Sequence, residues 1–561
     1  MNDINARINI PQDPHIIGHK PSPTVNDDLK ADVVSISGQK DDVDLKKMPI
    51  KELSKSSSDN NAEMSPLATE PNVPHIEMQE FSPTWRAVLP TLFYKGSDGD
   101  DKIHVSQDKD RAFIVNYNGH EKSFAREEFF KVSFDLGEGN NFFFADSSVK
   151  DLIYVKAGDG DNTIITGKGR DFVTAGDGNN TIRTGKGDDT VTVGSGNNKI
   201  YGESGNDIIV TGEKDAANIA PGVQNNGNNI IYGGSGDDVI VTKGSGNNKI
   251  YGNTGNDYLQ GGLGNDTING GAGNDIIYGL DGNDIISGGN GKNYIDGGNG
   301  DDIIRKSAEG YIISGGKGHD KINRSEEAVV LIDDSEIKNA NGDKVHIYNS
   351  SKTANLGSSV KIEGDAEFKT RVESDLETMK ALPSGIKMLE ELDKTGKTIT
   401  IKALNWGEKN GYAKEVDESK SYYLPNGETN TGSDVIISYN PSHRHANIKK
   451  STDELPPLGV LFHEMAHAYN MATGTMLVAC WADSVTGNDR ARALEYQAVG
   501  LEIKNLIGTR DGIDHVLFQQ DSTPVTSPMI HPDGTVSYNN PKGISENDLR
   551  ADLNLAPRIE Y

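Results

Sequence analysis

Between about Gly96 and Asn323 the chain repeats itself every nine residues, and this constrains its fold more than any other feature. Asp257, Asp266, Asp275, Asp284, Asn293 and Asp302 recur in register. Each follows glycines and is followed two positions on by Leu259, Ile268, Ile277, Ile286, Ile295 or Ile304. A glycine-rich flexible linker would not hold an aliphatic residue in phase with an acid over so many units. The register predicts a parallel β-roll in which glycines turn the chain, the aliphatic residue fills the core and the acid stands at the turn. Carboxylates at repeating turns supply the anionic oxygen that Ca²⁺ takes as ligand. The expected structural Ca²⁺ ligands are Asp171, Asp189, Asp207, Asp238, Asp257, Asp266, Asp275, Asp284 and Asp302.

Over roughly 200 residues, with lapses at 213 to 226 and before 157, the chain resembles the RTX, or haemolysin-type, calcium-binding repeats. In the earlier units Asp171, Asn180, Asp189, Asn198 and Asp207 alternate in type. With two nonapeptides per coil, the Asp residues should stack along one edge and the Asn residues along the other. Calcium is expected mainly on the Asp edge, with amide ladders able to replace ions on the Asn edge. In the run from 257 to 284 both edges are acidic, so that stretch should depend more on calcium.

At 561 residues the chain is long enough for two to four domains, yet 64 glycines and a hydrophobic fraction of 34% are low for several ordinary cores. A net charge of -28 repels phosphate backbones and anionic lipid, which argues against nucleic-acid binding. The single cysteine, Cys480, cannot form an intramolecular disulfide. The start, "MNDINARINIPQDPHIIGHKPSP", lacks the basic and apolar regions of a secretory signal, and no stretch reaches the length of a membrane span. Residues 1–85 mix Asp, Lys, Ser, Asn and Pro without period and are expected to be a disordered leader that could carry a delivery signal.

The expected organisation is this leader, the β-roll over 86–330, a transition over 331–364 and an α+β domain over 365–561. In the last, "EFKTRVESDLETMKAL" and "IKMLEELDKTG" have helical spacing, with a break at Pro383-Ser384-Gly385. "KTITIKAL" and "DVIISYNP" read as strands. "LPPLGVLFHEMAHAYNMATG" opens after Pro456 and Pro457 and closes at Gly474, sound helix limits. On such a helix His463 and His467 lie one turn apart and can reach one Zn²⁺, while Glu464 is placed to act as general base. A third ligand is expected from a following helix, "GNDRARALEYQAVGLEIKNLIG", closed by Gly508. Glu495 is preferred because Ala498, one turn on, allows close packing; Glu502, His515, Asp483 and Asp489 are its rivals. At the C-terminus, Arg558 and Tyr561 could stabilise the oxyanion of a tetrahedral intermediate, or could simply dock the tail. Cys480 and Trp481 fall between the two zinc helices, as cleft or as core.

With "HEMAH" at 463–467, "ALEYQAVG" at 493–500 and "ENDLRADLNLAPRIEY" at the end, the last third resembles the NleD-like family of bacterial effector zinc metallopeptidases. The ending is also similar in spacing to an Arg-x-x-Tyr pair of clostridial neurotoxin light chains. The first resemblance implies a zincin-like protease delivered into host cells, whose relatives cut host signalling kinases. A secreted, monomeric zinc endopeptidase is therefore expected, with a host protein as substrate, a secretion chaperone as partner and the host cytoplasm as destination. Placing the repeats before the enzyme departs from type I exported RTX proteins, and the leader fits type III delivery better. The alternative readings are a calcium-stabilised adhesive protein with an inactive metal domain, and a hydrolase of non-peptide amides.

Overall fold

The structure is a computed structural model. It describes residues 92–109, 112–129, 132–212, 226–305, 309–322, 353–404, 411–421, 430–440, 457–475 and 545–553, with six further strands between 329 and 538. The expected leader lies outside the described residues. Among them, no helix is long and apolar enough to cross a membrane.

The repeats form a β-solenoid of two facing sheets, thirteen strands in each. Thr190 lies between Phe172 and Ile208 in the first sheet, and Thr181 between Thr163 and Lys199 in the second. Partners are thus eighteen residues apart, two nonapeptides to the coil. Inward aliphatics from both sheets, among them Val173, Ile209, Leu259 and Ile277 facing Ile164, Ile200, Ile250 and Ile268, are almost wholly buried. The six aliphatic residues that carry the periodic signal from Leu259 to Ile304 all lie in this core. Between 208 and 239 the pairing jumps to 31 residues without interrupting the sheet.

Antiparallel strands Phe113–Tyr117 and His120–Phe124 cover one end of the second sheet. Short helix α1, Arg126–Phe129, closes over them, with Phe129 stacked on Phe113 at 3.8 Å between ring centroids. A repeat array needs such a cap because its last coil has no neighbour to bury it. The first sheet continues through strands Val329–Asp333 and Val345–Tyr348.

The C-terminal α+β domain begins with strand Val360–Glu363 and helix α2, Ala366–Lys380, opened by Asp365, whose carboxylate accepts the Phe368 amide at 2.8 Å. Helix α3, Pro383–Lys394, starts at the expected break, because proline at the first helical position needs no amide partner. Strands Val360–Glu363, Ile399–Ala403 and Val435–Tyr439 run parallel, and Gly411–Glu415 joins antiparallel at the edge. Helix α4, Pro457–Thr473, packs on this sheet, and α5, Glu546–Asp552, packs on α3 and α4. The Ser384 amide donates to the Asp552 carboxylate at 2.7 Å, tying α5 to the start of α3.

The helix expected to run to Gly508 is not formed over its last turns. Glu502–Arg510 is a strand, paired antiparallel with Ile513–Asp521. Asp511-Gly512 between two runs that carry Ile503, Leu506 and Ile507 on one side and Val516, Leu517 and Phe518 on the other is a hairpin signal, and it overrides the helical spacing read there.

Candidate metal centres

Helix α4 is apolar on nearly every side. Leu458, Leu461, Phe462, Met465, Ala466 and Ala468 have no measurable exposure. Gly474 stops the helix in the left-handed region (φ 69°), its amide donating to the Met471 carbonyl while that of Thr475 donates to Asn470. Into this apolar helix the sequence places His463, Glu464 and His467, each less than a tenth exposed. The imidazole rings are 4.8 Å apart between centroids and nearly perpendicular, at 84°. Two buried imidazoles on one turn suit a transition-metal ion as donors, and burial leaves little solvent to compete for them. Glu464 lies against the edge strand: a methyl group added at Gly411 would come within 3.2 Å of its Cγ.

Among the described residues no group of three ligating side chains forms. Glu495, Arg558 and Tyr561 lie outside the described residues, as do Cys480, Trp481, Asp483 and Asp489. Glu502 and His515 fall on the two strands of the hairpin.

The solenoid turns sort by residue type. Along the first edge the Asp171 amide donates to Asp189 Oδ1, Asp189 to Asp207, Asp207 to Asp238, and Asp238 to Asp257, at 2.6–2.9 Å. Along the second, Asn162, Asn180, Asn198, Asn229 and Asn248 form the same chain. There each side-chain amide is also used: Asn180 Nδ2 donates to Asn198 Oδ1 at 3.0 Å and to the Gly178 carbonyl at 3.2 Å. After Asn248 the second edge continues as Asp266, Asp284, Asp302 and Asp320.

An aspartate in this place has no donor to offer. Oδ2 of Asp207, Asp238, Asp266 and Asp284 is buried and accepts no hydrogen bond. Each of these oxygens faces the glycine five residues earlier, Gly202, Gly233, Gly261 and Gly279, where any Cβ would strike it. The buried acids are correspondingly hard to ionise. Burial pushes Asp207 up to about 6, Asp266 to about 7, Asp238 to about 8 and Asp284 to about 9, the last also raised by neighbouring Asp266. Orphaned anionic oxygens beside a glycine cradle fit a hard divalent cation. Ca²⁺ would be held by these carboxylates. On the asparagine edge the side-chain Nδ2 already donates to the turn carbonyls.

The residues just before the turn acids make a second ladder, unread in the sequence: the Asn265 amide donates to Asn247 Oδ1 and that of Asn283 to Asn265 Oδ1. Its signal was the recurring Asn of "GND".

Together these features define a nonapeptide β-solenoid that carries an α+β domain built around a buried two-histidine helix. Residues 357–561 match the Peptidase M91 family model, described as effector protein. Segments 156–191, 183–213, 225–242, 244–277 and 269–304 match the RTX calcium-binding nonapeptide repeat. No curated protein matches the chain.

Proposed function

We propose that the chain is a secreted zinc endopeptidase effector that cleaves a host protein. The observation carrying this reading is the HExxH face of α4, buried inside a domain that matches a peptidase family of effectors. His463 and His467 would hold Zn²⁺, with Glu495 as the third ligand. Zinc, when bound, supplies Lewis acidity to the scissile carbonyl and to water. Glu464 takes the proton of the attacking water and hands it to the leaving amine. Arg558 and Tyr561 are proposed to stabilise the oxyanion.

The edge strand Gly411–Glu415 favours a peptide over a non-peptide amide. It passes Glu464 at Gly411, and Tyr412 is half exposed, so an extended segment can pair along it and bring its backbone to the base. Signalling kinases of the host are the substrate class that the sequence resemblance suggests. The chain acts as a monomer, reaches the host cytoplasm through a specialised secretion route, and takes a secretion chaperone on its leader.

The test compares new protein N-termini in host-cell lysate exposed to the wild type and to Glu464→Gln. N-termini that require Glu464 support the proposal and name the substrate. Their absence, with about one zinc bound per chain, refutes the protease reading and turns the weight to a calcium-stabilised binding protein.

A further inference from the structure

The α+β domain sits on the first sheet of the solenoid, and the coils beneath it differ from the rest. Outward residues of the early coils are polar or half exposed, as at Lys156, Thr174 and Thr192. From Val239 to Ile312 the same rows become buried, polar Gln260, Asp296 and Ser314 included, and Tyr258, Tyr278 and Tyr294 lie in one core with Val372, Met379 and the α4 residues Phe462 and Met465. Leu280 marks the change. Its registered neighbours are Gly262 and Gly298, yet it holds a left-handed φ of 82° and is 1% exposed within that core. A leucine in this conformation is strained by about 1–2 kcal/mol, so this repeat position has given up its glycine for contact with the domain.

Polar contacts cross the same boundary. Arg371 of α2 stacks on Tyr278, 3.3 Å from the ring centroid, and pairs with Asp375. Asp375 accepts the Tyr439 hydroxyl at 3.2 Å, on the strand beneath α4. Thr378 donates to Asp296 of the solenoid at 3.1 Å. Beneath this dock the second edge also changes from asparagine to aspartate, between Asn248 and Asp266. From Asp257 to Asp284 the coils that carry the enzyme domain hold carboxylates on both edges, Asn293 on the first edge being the exception, with its Nδ2 donating to the Gly291 carbonyl at 3.3 Å, and Oδ2 of Asp266 and Asp284 is buried without a donor.

We propose that the solenoid is divided in function: an early half closed by asparagine amides on one edge, and a later, calcium-gated half that is the docking platform of the enzyme domain. Calcium on the later coils then sets whether α2, and through Tyr439 the floor of α4, stays in place. The proposal rests on the calcium reading of the repeats. It requires nothing of zinc.

Hydrogen–deuterium exchange of the full chain, in calcium and after chelation with EGTA in the presence of zinc, tests it. Calcium removal should speed exchange about tenfold or more at 366–380 and 276–281, and several-fold less at 181–186 and 199–204. The triple variant Asp266→Asn, Asp284→Asn, Asp302→Asn continues the asparagine ladder and should shrink the effect at 366–380. Protection at 181–204 reports that the variant solenoid is folded. Calcium binding by titration calorimetry with unchanged protection of 366–380 overturns the proposal and leaves the calcium reading standing. No calcium bound overturns both.

Discussion

Replacing Arg371 by methionine tests how the enzyme domain is held to the solenoid. The guanidinium is 1% exposed, stacked on Tyr278 and paired with Asp375, which is itself fully buried. Methionine keeps most of the aliphatic volume but leaves Asp375 buried without its cation. Breaking a buried pair from one side costs about 3–5 kcal/mol. The lost stacking of the guanidinium on the ring adds up to about 2 kcal/mol. Part of this is recovered because Asp375 can take a proton, burial already pushing its carboxyl up against the opposing pull of Arg371. A net loss of about 4 kcal/mol remains, which for a cooperative unit of about 200 residues lowers Tm by about 8–16 °C. Calorimetry in saturating calcium measures it, alongside Arg371→Met combined with Asp375→Leu. The double variant should recover more than half of the loss, since it removes both charges. A single variant within about 1 kcal/mol of wild type, or a double variant no better than the single, would refute the reasoning.

Chelated protein should lose stability as pH rises. Asp207, Asp266, Asp238 and Asp284 have folded-state values of about 6, 7, 8 and 9, raised by burial above their unfolded values. The folded state then binds more protons across this window, so stability is full below the unfolded values and falls as pH climbs through 6 to 9. Thermal melts in EGTA should fall over that range and flatten in calcium; a rise in EGTA contradicts the burial argument. Asn198→Asp removes an amide that donates to Asn229 Oδ1 at 2.9 Å and to the Gly196 carbonyl at 3.1 Å. Its melting temperature should depend on calcium more steeply than that of wild type, and equal dependence would count against ion replacement by amides. Gly474→Ala puts a Cβ 2.6 Å from the Asn430 carbonyl oxygen at a positive φ, and should cost at least about 1 kcal/mol, read in denaturant midpoints.

The solenoid was legible because its signal is redundant. Each unit repeats the same glycine, acid and aliphatic positions, so eighteen-residue stacking and the sorting of Asp from Asn follow from counting. The limits of α4 were legible for a related reason: Pro457 and Gly474 act through their own backbone chemistry, whatever surrounds them. The hairpin that begins at Glu502 was misread because Glu502 lies seven residues after Glu495 and four before Leu506, both helical spacings, and Gly508 reads as a helix stop. The competing signal, Asp511-Gly512 between the paired Arg510 and Ile513, stands just beyond the Gly508 at which the helix was closed.

The dock was harder to read for a different reason. In a solenoid the inward position is fixed by the repeat, so the outward positions are free to vary, and variation there resembles noise. Tyr258, Tyr278, Leu280 and Tyr294 gain meaning only once eighteen-residue stacking brings them into adjacent rows. In that light, the loss of glycine at 280 and the loss of asparagine after 248 occur in adjoining coils. The first change builds a surface for α2, and the second leaves the coils beneath that surface with carboxylates that amides no longer satisfy. A purely structural spacer has no need to place its contact surface over its most ion-dependent coils. A platform that loosens its hold on the enzyme domain when calcium falls does, and that fall is the change to which the proposed docking would respond.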